Sequence, residues 1–86
     1  MAEQPRRRRA RHDIIMGILK TATGYGKKKT QIMYKARLSY SQLEQYLTAL
    51  KSGGFLTEES GIWRTTEKGL HVIEACELCL RLTREV

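Results

Sequence analysis

The stretch KKTQIMYKARLSYSQLEQYLTALKSGGFL, Lys28 to Leu56, decides how this chain folds. Ile32 and Ala36 stand four apart, the spacing of a buried stripe on a short helix. Arg37-Leu38 marks a turn. Ser39 then supplies an N-cap oxygen, and Gln42 three residues later completes a capping-box pattern. Tyr40, Leu43, Leu47 and Leu50 recur at i, i+3, i+7 and i+10, one face of a second helix. Gly53-Gly54 ends it, because glycine reaches the left-handed conformation that closes a helix. Two short helices in this order are the arrangement of a helix-turn-helix, in which the second lies in a DNA major groove.

Upstream, Arg11 to about Thr23 reads as a first helix with an apolar stripe of Ile14, Ile15, Ile18, Leu19 and Ala22. Gly24-Tyr25-Gly26 breaks it, and the second helix follows from Lys29 or Thr30. Downstream, Phe55–Glu58 and Ile62–Thr65 flank Glu59-Ser60-Gly61 as a hairpin. Thr66 is placed to cap a last helix from Glu67 to about Glu85, with Glu67 at the positive end of its dipole. That helix is apolar over a wide arc. Val72, Cys76, Cys79, Thr83 and Val86 follow a 4, 3, 4, 3 spacing, the seam of a coiled coil, and Leu80 and Leu82 flank it. A small core covers one such face but not both, so a homodimer through this helix is expected; a last helix packed wholly on its own domain is the other reading. The expected architecture is mainly α with a small β-hairpin, divided into an arm at 1–8, a domain at 9–66 and a dimerisation helix at 67–86.

Charge is unevenly placed in these 86 residues, whose net charge is +7 and pI about 9.8. Residues 1–37 hold eleven Lys/Arg against Glu3 and Asp13, a local +9, while residues 38–86 come to −2. A front half that basic points to a polyanion, nucleic acid before membrane. A disordered arm is expected where Pro5 precedes Arg6, Arg7, Arg8 and Arg9. No stretch approaches the roughly 20 apolar residues of a membrane span, and no apolar region follows the arginines as in a secretory signal. Two cysteines make no disulfide scaffold, so a cytoplasmic, nucleoid-associated protein is expected. Asparagine is absent, which fits a thermophile.

The run IMYKARLSYSQLEQYL, followed by GGFL and then WRTTEKGL, resembles the archaeal winged helix-turn-helix domain. The pattern is similar to that of the small basic crenarchaeal proteins that dimerise through a C-terminal antiparallel coiled coil. The resemblance runs from about Arg9 to about Glu74. It implies a dimeric binder of double-stranded DNA, chromatin-associated or regulatory, with the hairpin as its wing.

On the third helix the apolar stripe leaves Ser41, Gln45, Thr48 and Ser52 outward, with Gln42 and Ala49 beside them. Gln pairs with the N6/N7 edge of adenine, and Ser bonds several bases. Bases are read mainly through the N-terminal part of this helix, so Ser41, Gln42 and Gln45 are the base-edge candidates. A merely solvated polar face fits the same composition. Lys27, Lys28, Lys29, Lys35 and Arg37 crowd around the second helix and are phosphate candidates, as are Arg6 to Arg9. The hydroxyls of Tyr34 and Tyr40 also suit phosphate, though packing explains them equally well. The wing is acidic at Glu58 and Glu59, and Arg64, its one basic group, is a further phosphate candidate.

Other motifs fail. Gly24-Tyr25-Gly26-Lys27 lacks the spacing of a phosphate loop. Cys76-Glu77-Leu78-Cys79 has CxxC spacing but sits mid-helix with no second ligand pair, so seam residues explain it better than zinc or redox chemistry. An intersubunit disulfide stays open. His12 and His71 stand alone, and no carboxylate pair or Ser-His-Asp set exists for catalysis. The expectation is a non-enzyme with no cofactor, metal, membrane or small-molecule substrate, whose partners are duplex DNA and a second copy of itself. The alternative is a winged-helix module that docks a protein and not DNA, favoured by the acidic wing and the polar face of the third helix and opposed by the basic front half.

Overall fold

The computed structural model describes the backbone of residues 11–85 and the side chains of residues 11–76. Within them the order is α1 (Arg11–Thr21), β1 (Lys27–Lys28), α2 (Lys29–Ala36), α3 (Tyr40–Ser52), β2 (Leu56–Glu59), β3 (Ile62–Thr65) and α4 (Glu67–Glu85). The expected arm with Arg6, Arg7, Arg8 and Arg9 lies outside the described residues, as does Val86. Side chains from Glu77 onward, with the seam candidates Cys79, Leu80, Leu82 and Thr83, lie outside them too.

The core is built by short helices meeting at their apolar stripes. Ile18, Leu19 and Ala22 of α1 and its exit pack with Ile32 and Ala36 of α2, Leu43, Leu47 and Leu50 of α3, and Leu56 of β2. Two details of the stripes differ from expectation. Ile14 and Ile15 are only partly buried, whereas Met16 is buried. Tyr40 is 57 % exposed despite its spacing. It is the first residue of α3 and lies to one side of the Leu43–Leu47–Leu50 line, where its ring sits under the Lys29 ammonium, 5.2 Å from the centroid.

The joint between α2 and α3 is held by backbone and caps. Arg37 takes the left-handed conformation (φ 57°), and the Leu38 N–H donates to Met33 O at 3.2 Å. Leu38 is buried beneath the turn. The capping box on α3 is formed as the sequence implies. Ser39 Oγ accepts from the Gln42 N–H at 3.2 Å, and Gln42 Oε1 accepts from the Ser39 N–H at 3.1 Å. At the far end of α3 the Phe55 N–H donates to Leu50 O at 2.9 Å, with Gly54 at φ 85°. That bond takes Phe55 into the helix closure and starts β2 one residue later than expected.

The sheet has three antiparallel strands, ordered β1-β3-β2, and not a lone hairpin. Lys27 pairs with Trp63 and Lys28 with Ile62. In the hairpin, Leu56 pairs with Thr65 and Glu59 with Ile62, leaving Ser60 and Gly61 as a two-residue turn. Both have positive φ, 52° and 83°, as a type I′ turn requires. Gly26 feeds β1 at φ 91°, so close to the neighbouring strand that a Cβ there would lie 2.7 Å from the Trp63 carbonyl oxygen. The sheet is tied to α1 through Thr65, which is buried; its Oγ1 donates to Leu19 O at 2.6 Å and its N–H to Ala22 O at 3.0 Å.

The cap of α4 is Thr66, whose Oγ1 accepts from the Gly69 N–H at 3.2 Å and donates to Gly54 O at 2.6 Å. Gly69 has no room for a side chain: a Cβ would lie 2.5 Å from both Phe55 O and Thr65 Cγ2. This close approach lays the first turns of α4 on the body, and Val72 and Ile73 pack against the core from there.

Candidate nucleic-acid interface

One face of α3 carries no apolar residue and is not covered by any other described element. Ser41, Gln45, Thr48 and Ser52 are exposed along it, and Gln42 and Ala49 are exposed beside them. The helix is fixed at both ends by its cap and its Gly closure, so this polar face stands on a rigid rod. Gln45 and Thr48 share a shallow recess with Glu44 and Ala49. Gln42 differs from Gln45 in one respect. Its Oε1 accepts from both the backbone N–H and the Oγ of Ser39, so its amide has a donor side free for a ligand but an acceptor side already engaged. Bidentate pairing with adenine needs both, and Gln45 therefore suits that role better.

The cations do not all surround α2. Lys27 and Lys28 lie on the edge strand β1, the former half-buried and the latter exposed. The Lys28 N–H donates to Gln31 Oε1 at 2.9 Å, which ties β1 to the first turn of α2. Lys35 and Arg37 are exposed at the other end of α2. Lys29 is different: its ammonium is bonded to Glu44 of α3 and lies 3.4 Å from the Tyr40 hydroxyl. The Glu44 bond is the main cause holding the Lys29 pKa above its ordinary 10.5. The same bond, with help from Tyr40, holds Glu44 below 4.5. Both sides of the pair thus stay charged across the working pH range.

On the wing, Arg64 is exposed and shares a recess with Thr57 and Glu59. Glu58 is occupied internally: its Oε2 accepts from the Gly61 N–H at 2.8 Å, and its Oε1 lies 3.8 Å from Lys51 Nζ. Lys51 in turn sits 5.7 Å from the Trp63 ring centroid.

Two residues at this surface were not singled out in the sequence. Arg11, at the start of α1, joins Gln42, Gln45 and Tyr46 around a groove of about 360 Å³ along the flank of α3. Glu44 is the partner of Lys29. Neither has a local signal, since each meets its neighbours only after the helices pack. Elsewhere, Val72 and Cys76 line a mainly apolar groove with His12, Ile15 and Phe55, and Cys76 is a free, half-buried thiol. Among the described residues no helix is long and apolar enough to cross a membrane, and nothing points to catalysis.

A capped helix pair with a polar second helix, followed by a hairpin that a short third strand extends into a sheet, defines a winged helix-turn-helix. The family model described as winged helix-turn-helix matches residues 8–84, and the chain belongs to that family. A protein of Methanocaldococcus jannaschii described as uncharacterized is 35 % identical over 69 residues. The match covers 80 % of this chain and 33 % of that protein, so the chain spans about a third of the relative's length.

Proposed function

We propose that this protein binds double-stranded DNA with α3 in the major groove, as a regulator or an architectural factor. The observation that carries the reading is the uncovered polar face of α3, with exposed Lys28 and Lys35 on the elements beside it. Phosphate contacts from Lys27, Lys28, Lys35, Arg37 and the arginine arm supply most of the affinity. Ser41 and Gln45, with the donor side of Gln42, meet base edges. The acidic wing favours a second reading, docking of a protein, because Glu58 and Glu59 sit where a minor-groove contact needs cations.

A homodimer through α4 belongs to the same proposal. Val72 already packs on its own domain, so the contact falls mainly to Cys76 and the residues from Cys79 onward. Two-fold symmetry then gives a palindromic or two-segment site.

Fluorescence anisotropy of a mixed-sequence duplex across a salt series tests the reading. Binding falls steeply with salt, and Lys28→Glu/Lys35→Glu loses at least roughly 60-fold at 0.1 M, from about 0.9 of logarithmic slope per phosphate contact removed with the repulsion of two new carboxylates added. A duplex left unbound at low salt leaves the protein-docking reading.

A further inference from the structure

Two groups suited to phosphate, Lys29 and Tyr40, are turned toward a third side chain on the recognition helix itself. Glu44 accepts from the Lys29 ammonium, and Tyr40 packs its ring beneath the same ammonium with its hydroxyl at 3.4 Å. The pair is accessible, with side chains 30 % and 39 % exposed, so a phosphate can reach it. Glu44 also lies in one recess with Gln45 and Thr48, which means it travels with the base-reading face.

This arrangement bears on how affinity divides between phosphate and base. A lysine adds to salt-dependent affinity by replacing a cation condensed on the DNA. A lysine already neutralised by a carboxylate replaces none. To use Lys29, a phosphate must first displace Glu44, and the freed carboxylate then faces the polyanion without a partner. Both steps oppose the contact.

We propose that Glu44 is a specificity-determining residue that keeps Lys29 off the phosphates and so limits sequence-independent binding. The inference rests on duplex binding as proposed above. Its consequence is a larger share of the binding free energy for base contacts, because discrimination is a ratio of specific to non-specific affinity. Lys29 is then silent in the native protein, in contrast to Lys28 and Lys35.

The test is a double-mutant cycle, read as affinity for a mixed-sequence duplex over a salt series. Glu44→Gln keeps the shape and removes the charge. It binds about eightfold tighter at 0.1 M salt, with a slope steeper by about 0.9, the signature of one added phosphate contact. Lys29→Met alone changes affinity less than twofold, and in the Glu44→Gln background it removes the gain. Circular dichroism checks that each variant is folded, and the double variant separates release of Lys29 from the mere loss of a negative charge near the duplex. The inference is overturned if Lys29→Met weakens the native protein with loss of about 0.9 of slope, or if folded Glu44→Gln leaves the slope unchanged. Native protein that does not bind the duplex at all removes the DNA-binding reading itself, a different failure from native binding that Glu44 does not modulate.

Discussion

Two regions beside α3 handle charge in opposite ways. On β1 and α2, Lys28 and Lys35 are exposed, and no acidic side chain is bonded to either among the described residues. On the hairpin that β1 extends, Glu58 caps the Gly61 turn and faces Lys51, so its charge serves the hairpin. Lys29 and Glu44 combine the two patterns: a cation from the basic region is held by an anion on α3. Counting charges along the chain therefore overstates what a polyanion meets. Exposure and existing partners decide which groups are available.

Substitutions can break this contrast, beginning with the strand that positions the lysines. Gly26→Ala places a Cβ against the Trp63 carbonyl at a positive φ, and destabilisation of about 2–3 kcal/mol is expected in urea unfolding. Duplex affinity falls with it, because Lys27 and Lys28 lose their place on the sheet edge. Ser39→Ala removes the cap that fixes the start of α3. A loss of about 1 kcal/mol is expected, seen as a Tm lower by roughly 4–8 °C.

Glu58→Gln has a smaller effect, under about 1 kcal/mol, since the lost ion pair is long at 3.8 Å and partly open to solvent, and the amide oxygen still accepts from Gly61. Duplex affinity changes by less than about threefold, the modest effect of removing one negative charge that contacts no phosphate. A gain as large as that of Glu44→Gln would put the wing at the DNA after all. Smallest is the pH response of the Lys29–Glu44 pair. Glu44 is depressed, so its contribution is present above about 4.5 and fades as pH falls through its lower folded value. Lys29 is raised, so its contribution is present below about 10.5 and fades as pH rises through its higher folded value. Thermal melts of the native protein and Glu44→Gln, compared from pH 3 to pH 7 (an experimental range of roughly four units), should converge at the acid end.

The helix-turn-helix was legible because its signals are local. Ser39 and Gln42 are three residues apart, Ile32 and Ala36 four, and Gly54 sits where the chain must turn. β1 was not legible, since two lysines offer no alternation and the pairing with Ile62 and Trp63 spans more than thirty positions. Spacing puts Tyr40 on the core stripe and its hydroxyl makes it a phosphate candidate, yet its ring stacks on a cation and its hydroxyl lies beside the Lys29 ammonium. Sequence makes Lys29 one more phosphate candidate, because its partner is fifteen residues away on another helix. Long-range pairs of charged groups leave no periodic trace, and they are what separates an available cation from an occupied one.

The most direct test of the central claim is an amide chemical-shift titration of the 15N-labelled protein with a duplex at low salt. Binding through α3 gives the largest shifts at Ser41, Gln45 and Thr48, with Lys28 and Lys35 following and the Ser60–Gly61 tip nearly still. Shifts concentrated on the wing tip, with α3 unmoved, would contradict it.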